Sequence, residues 1–218
     1  MKKPDGKLFQ ELQQLYGERR EAIQQRLREF SRIESSQYFY ELAYCLLTPQ
    51  SSAVNAGKAV ERLQERDFYG ELLDPEPILF QKDFYIRFHK TKARLLVELK
   101  KKFPEVLSAL SNGSPRPRRG ESSTVLREWL VENVKGLGYK ESSHFLRNIG
   151  HRNLAILDRH ILKNLEKFGA IRTIPKSLTR KQYLKLEKQF HRFADAVGIP
   201  LDELDLLFWS LETGEILK

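Results

Sequence analysis

One cysteine in 218 residues, Cys45, rules out a disulfide framework within the chain. It equally excludes a four-cysteine zinc or iron–sulfur site. With Leu42, Ala43, Leu46 and Leu47 around it, Cys45 reads as a small buried apolar side chain. Long apolar runs are missing too. None approaches the roughly 20 residues that cross a bilayer, and the opening Met1-Lys2-Lys3-Pro4-Asp5-Gly6 has no apolar signal core. An intracellular, cytoplasmic protein is expected, neither secreted nor held at a membrane. The histidines, His89, His144, His151, His160 and His191, lack metal-ligand spacing, so no side-chain metal site is expected. No repeat or low-complexity tract appears. Nor does polar–apolar alternation run far enough to mark a strand.

Positive charge and helical periodicity are what the chain has instead. Lys and Arg outnumber Asp and Glu by 38 to 29, a formal net charge of +9 with a pI near 9.6. That balance favours polyanionic partners, DNA or RNA first, although a solvated, salt-tolerant surface would carry the same count. A mean hydropathy of −0.52 fits a soluble globular protein. Leu8, Leu12, Leu15 and Tyr16 recur at helical spacing, as do Ile23, Leu27 and Phe30. Further helices are predicted over about 38–47, 52–66, 89–102, 123–133, 139–149, 180–197 and 201–211. Another opens at Asp158 and carries Ile161, Leu162, Leu165 and Phe168. A short one follows the turn at Asp74-Pro75-Glu76-Pro77. The breaker segment Ser111–Gly120 holds Arg116, Arg118 and Arg119, either phosphate contacts or a plain basic loop. The fold class is all-α.

Chemistry concentrates in Val134-Lys135-Gly136-Leu137-Gly138-Tyr139-Lys140 and Ile156-Leu157-Asp158-Arg159-His160. Gly136 and Gly138, between two helix-compatible stretches, can take backbone angles closed to other residues and so turn the chain tightly. The N–H groups opening the next helix can then hold a phosphate without reading sequence. An ordinary turn between helices would use glycine as well. Lys140 falls in the first turn of the second helix. That is the unfavourable end for a cation, because a helix N-terminus already carries partial positive charge, and a neutral amine is a nucleophile. Asp158 precedes a strong helical pattern and fits an N-cap. A capping carboxylate is also a fixed negative charge, which an oxocarbenium-like transition state needs. The two roles coexist.

The combination, Val-x-Gly-Leu-Gly-x-Lys followed by Leu-Asp-x-His-Ile with lysine and aspartate 18 positions apart, resembles the helix–hairpin–helix superfamily of base-excision DNA glycosylases. Members with the hairpin lysine are bifunctional glycosylase/AP lyases; those lacking it remove bases without cutting. Endonuclease III-like relatives usually add a four-cysteine cluster, which this chain cannot have. Its length, helical reading and C-terminal Phe208-Trp209…Lys218 are more similar to the archaeal-type (type 2) 8-oxoguanine DNA glycosylase/AP lyases. The resemblance runs from about Tyr38 to Lys218.

That resemblance implies an 8-oxoguanine glycosylase/AP lyase acting on double-stranded DNA, bound through its DNA to the nucleoid and probing lesions as a monomer. No dissociable cofactor and no iron–sulfur cluster would be required. Lys140 matches the Schiff-base nucleophile and Asp158 the catalytic carboxylate. Val134, Gly136 and Gly138 match the hairpin that grips the DNA backbone. Main-chain carbonyls of Glu132, Val134 and Leu137 match those holding a monovalent cation, Na+ or K+. Gln50, in Leu46-Leu47-Thr48-Pro49-Gln50-Ser51-Ser52, matches the loop that fills the gap left by the extruded base, with a plain loop residue as the other reading. The α-carboxylate of Lys218 matches the group that meets the flipped base. One carboxylate can accept from the adjacent N1–H and N2–H donors of a guanine ring. Trp209 and Phe88 match the aromatic pair around the base, with Phe84 and Tyr85 as neighbours of Phe88 that also qualify. His160 fills a supporting position.

The implied architecture is two helical lobes with a DNA-binding cleft between them. Residues 38–156 would form one lobe, and 1–37 with 157–218 the other. Two other functions remain open: a related glycosylase/AP lyase for oxidised pyrimidines, and a non-catalytic helix–hairpin–helix module that uses the hairpin only as a phosphate clamp.

Overall fold

The computed structural model describes residues 6–112 and 121–216. Among the described residues ten α-helices form and no strand does; a single antiparallel bridge pairs Phe80 with Tyr85. The all-α expectation holds. The chain divides into two compact units, Ile33–Phe145 and a second made of Met1–Arg32 with Leu146–Lys218. The boundaries expected at 38 and 156 therefore move to 33 and 145. The reason lies in segment 150–157, whose polar groups bond to the second unit: Arg152 donates to the Leu27 carbonyl (2.8 Å), and the Ala155 amide to Glu187 (3.1 Å).

In the first unit, α2 (Tyr38–Leu47) packs against α3 (Ala53–Glu65) and α5 (His89–Asn112), while the short α4 (Glu76–Leu79) rests on α3 and α5. Its core is aromatic: Phe39 lies within 5.3 Å of Phe103 and 6.0 Å of Phe68, ring centre to ring centre. Each such ring contributes roughly 1.5–3 kcal/mol by leaving water. That burial explains a difference from the sequence reading. Helix α5 does not stop near Lys102 but continues through Pro104. Leu99, Phe103 and Val106 stay buried on one face, so packing outweighs the lost backbone hydrogen bond of an interior proline. Next come α6 (Glu121–Asn133) and α7 (Tyr139–Asn148), the latter holding the 145/146 boundary in its last turn.

The second unit opens with a continuous 25-residue helix, α1 (Gly6–Phe30), where two shorter periodic stretches were read. It packs on α10 (Leu201–Thr213), which α8 (Arg159–Lys167) and α9 (Arg180–Val197) also contact. Phe208 stacks on Phe168 (5.5 Å, 4° between planes) and Phe190 (6.0 Å, 11°), and all three are fully buried. Helix ends follow their chemistry. Thr179 and Gln182 cap α9 reciprocally, and Gly198 closes it in the left-handed conformation.

Gly150 stops α7 as expected, with φ +93° and its amide on the Arg147 carbonyl at 3.0 Å. A Cβ there would sit 3.0 Å from Ser31 Cα, a backbone atom that cannot step aside. Gly150→Ala is therefore expected to destabilise the protein by about 1–3 kcal/mol. Urea unfolding at equilibrium checks this, and a wild-type midpoint would refute it.

Candidate active site

The hairpin between α6 and α7 is closed by the Leu137 amide on the Val134 carbonyl (3.2 Å), with both side chains buried. Only Gly136 needs the left-handed region, at φ +91°. A Cβ there would also press on Leu95 Cδ1 at 2.9 Å. Gly138 does not take the left-handed conformation that its spacing predicts. It precedes the first residue of α7, and its N–H donates to Glu141 Oε2 at 3.2 Å. This is the back-reaching half of a capping box. The other carboxylate oxygen of Glu141 stands 3.2 Å from Lys140 Nζ. Lys140 thus sits in the first turn of α7 as expected, about three-quarters buried and paired with an acid. Tyr139 donates to Glu128 and lies under the Arg127 guanidinium, 5.3 Å from the ring centre.

Two turns of the same unit carry the other candidates. After α2, Thr48–Ser52 forms a turn in which Gln50 is exposed at φ +57°. Ahead of α5, Phe88 is half exposed at φ +61°, with Arg87 stacked over its ring at 5.0 Å. Of the neighbouring rings that also qualified, Phe84 goes into the core and Tyr85 stays half exposed against Phe80. Between the turns lies Lys92, which is 5% exposed. Its Nζ donates to the carbonyls of Leu47 (2.7 Å) and Pro49 (2.6 Å) and to Ser51 Oγ (3.2 Å). Burial, with the charge of Lys140 adding to it, lowers the Lys92 pKa to about 8.

In the second unit Asp158 caps α8. Its Oδ1 accepts from the Ile161 amide at 2.8 Å, and its own amide donates to the Ile156 carbonyl at 2.7 Å. The irregular chain before it is held by buried side chains. Both oxygens of Asp202 accept from the Asn153 amide at 3.1 Å. Glu187 takes the Ala155 amide, and the Tyr183 hydroxyl bridges the Leu157 amide (3.3 Å) and the Ala155 carbonyl (2.6 Å). Below them Arg147 pairs with Asp205 at 3.3 Å, both buried. Burial pushes the Asp205 carboxyl up to about 7, against the pull of Arg147 and with a further push from Asp158. Trp209 is half buried and meets His160 edge-on at 6.4 Å, while His160 pairs with Glu212 at 3.4 Å. Lys218 lies outside the described residues, as do Arg116, Arg118 and Arg119. Among the described residues no cluster of three or more His, Cys, Asp or Glu could hold a metal ion.

Comparison with known proteins decides what this set of residues belongs to. The sequence model described as 8-oxoguanine DNA glycosylase matches residues 23–199. The chain belongs to the 8-oxoguanine DNA glycosylase family. It is 40% identical over 217 residues to a Fusobacterium nucleatum protein named 8-oxoguanine DNA glycosylase/AP lyase, covering 96% of this chain and 97% of that one. A Korarchaeum cryptofilum protein of the same name is 42% identical over 213 residues, covering 97% and 98%. The crystal structure of Methanocaldococcus jannaschii 8-oxoguanine glycosylase/lyase, in complex with a 15mer DNA containing 8-oxoguanine, aligns with a TM-score of 0.80 at 34% identity. That alignment covers 97% of this chain and 99% of the other. The resemblance carried by the hairpin and Asp158 is borne out.

For a glycosylase of this family, sequence reasoning missed the residues that hold the site segments: Lys92, Glu141, Asp202, Asp205 and Glu187. Lys92 left a usable signal, since it shares the buried face of α5 with Leu96, Leu99 and Phe103 at helical spacing. A lysine on an apolar stripe needs acceptors. Asp205 has a similar signature among Leu201, Leu204 and Phe208, all buried.

The Asp205 carboxyl yields a pH prediction with a definite sign. Its folded-state pKa of about 7 lies above the ordinary 3.8, so between those values the native state binds more protons than the unfolded chain. Stability from this group therefore falls as pH rises from about 4 to about 7. Relative to Asp205→Asn, the wild type should lose unfolding free energy over that range and level off above it. Urea titrations of both proteins at several pH values test this; a pH-independent difference would contradict it.

Proposed function

We propose that this protein excises 8-oxoguanine from double-stranded DNA and then cuts the strand as an AP lyase, with Lys140 as nucleophile and Asp158 as the stabilising carboxylate. The names of the relatives support the reaction and the lesion, and a 15mer DNA containing 8-oxoguanine is what the M. jannaschii neighbour holds. One observation of this chain carries the assignment of the nucleophile: the lysine amine follows the glycine hairpin directly, partly shielded and positioned by Glu141 at 3.2 Å.

The proposed reaction starts with the damaged nucleotide rotated out of the stack. Lys140 Nζ, after giving its ammonium proton to solvent, attacks C1′ as the glycosidic bond breaks; the base leaves with that electron pair and takes up a proton, and the new secondary amine loses one. Asp158, held by the Ile161 amide, offsets the positive charge that develops on the sugar. Ring opening converts the adduct into an imine. The imine acidifies the C2′ proton, and its loss expels the 3′ phosphate, so the strand is cut on the 3′ side. The base would be read by the α-carboxylate of Lys218 and enclosed by Trp209 and Phe88; partial exposure of both rings supports that role. Val134, Gly136 and Gly138 would grip the backbone, with Gln50 entering the vacated gap. A monovalent cation on the carbonyls of Glu132, Val134 and Leu137 belongs to the same proposal, supported by the tight turn closed at Val134. The protein would act as a monomer on lesion-bearing or abasic DNA in the cytoplasm. No described helix is long and apolar enough to cross a membrane.

Two experiments test the reading. Borohydride should trap wild type, but not Lys140→Gln, covalently on 8-oxoguanine duplex; adduct formation by the variant would sink Lys140 as nucleophile. Extending the chain by two residues past Lys218 should slow 8-oxoguanine excision roughly tenfold to a hundredfold through lost charge-assisted hydrogen bonds. Cutting at a preformed abasic site should persist. Equal excision rates with and without the extension would refute recognition by the terminal carboxylate.

A further inference from the structure

Among the described residues, two of the four non-glycine positions with positive φ are Gln50 and Phe88, the candidates for filling the DNA gap and facing the base. Side chains rarely adopt that region, and a bulky ring is strained there and persists only where its surroundings enforce it. Both are enforced by the same small knot. Ser51, next to Gln50, accepts the Arg87 amide on its Oγ at 3.0 Å, and Arg87 adjoins Phe88. Lys92 Nζ donates to that same Oγ and to the carbonyls of Leu47 and Pro49, which lead into the bend at Gln50. The Lys92 amide in turn donates to the Phe88 carbonyl at 2.9 Å, tying that turn to the start of α5. Asn55 adds a bond from α3 to the Tyr85 carbonyl at 3.1 Å.

An ammonium group has three N–H donors and no lone pair. Lys92 faces three oxygens, so its protonated form satisfies each once and has nothing left with which to attack a sugar. It is a poor second nucleophile despite sharing an electrostatic environment with Lys140. Its donors are all committed to main chain and Ser51, which is the arrangement of a strut.

We propose that Lys92 is a positioning residue whose buried ammonium locks the Gln50 turn and the Phe88 turn into one frame, so that the side chain entering the duplex and the ring facing the base are placed together. The inference rests on the reading of Gln50 and Phe88 as DNA-facing residues given above. It predicts energetic coupling of Lys92 to the side chains of Gln50 and Phe88.

Single-turnover excision of 8-oxoguanine from a duplex is to be measured for wild type, Gln50→Ala, Phe88→Ala, Lys92→Met and the two double variants containing Lys92→Met. Helical circular dichroism and the thermal midpoint establish that each is folded. Lys92→Met is expected to slow excision about a hundredfold, the effect of a misplaced positioning group. In its background, Gln50→Ala and Phe88→Ala should each cost well under their wild-type factor, because the frame they depend on is already lost. A role in stability alone would not move that coupling: the factors would simply multiply, and that outcome overturns the inference while leaving the proposed reaction intact. Should Gln50→Ala and Phe88→Ala both be silent in the wild-type background, the inference falls together with those two assignments, and excision by the wild type still stands as a separate result. If Lys92→Met does not fold, Ser51→Ala removes the shared acceptor alone; the same sub-multiplicative pattern is expected, and full multiplicativity counts against the frame.

Discussion

An all-helical protein has to satisfy the backbone groups that its helices leave unpaired at their ends, and here residues proposed for the site, or adjoining them, do this work. Asp158 takes an amide at the start of α8, Glu141 takes the amide that precedes α7, and Lys92 takes two carbonyls at and beyond the end of α2. Each is a charged side chain placed at the helix end whose partial charge it complements. Lys140 is the exception, a cation in the first turn of α7, and Glu141 sits against it. Gln50, Phe88, Gly136 and Asp158 lie in the irregular segments between helices, where backbone shape and side-chain direction are free of the helical repeat, whereas Lys140 and Trp209 lie on α7 and α10.

Those segments are expensive to hold. Burying Lys92, Asp202, Asp205 and Arg147 removes charges from water, and an isolated buried charge would cost several kcal/mol. The molecule offsets this by giving the charges backbone and paired partners. Arg147 meets Asp205, Asn148 and the Phe30 ring at once. Asp205 remains the under-supplied member: one oxygen pairs with Arg147, whereas its other oxygen, Oδ1, has no hydrogen-bond partner. Its raised pKa comes first from burial, with the charges of Asp158 and Asp202 adding to it. A core built of leucine at these positions would be easier to stabilise, but it could not hold the 153–157 backbone that leads into Asp158.

How far this was legible from sequence depends on the range of the interaction. Helices announced themselves through apolar spacing, and Asp158 through a capping residue ahead of a periodic run; both signals are local. The Gly136 turn was legible for the same reason. At Gly138 the expected special backbone angle does not occur; its amide is taken instead by a side chain three residues on. The end of α5 was misplaced because Pro104 is a local stop signal overridden by distant packing on Phe39. The unit boundary shifted because the hydrogen bonds of residues 153–157 run to Tyr183, Glu187 and Asp202, dozens of positions away. A buried polar partner at long separation leaves only a faint trace, a charged residue on an apolar stripe, as at Lys92 and Asp205.

The two glycines of the hairpin illustrate how one short motif divides its labour. Gly136 is required twice over, by a left-handed backbone and by Leu95 pressing where a Cβ would stand. Its requirement therefore comes from the core of its own unit, since Leu95 lies on α5. Gly138 meets only the end of the Glu141 side chain, 3.1 Å from where its Cβ would be. A flexible carboxylate can give way, so what a side chain at 138 would disturb is the cap of α7 and the contact of Glu141 with Lys140, not the path of the chain. The first glycine thus fixes the shape of the turn, while the second leaves room for the acid that places the amine. The same five-residue stretch, 136–140, joins a backbone constraint to a side-chain one, and the nucleophile proposed for the reaction sits where the two meet.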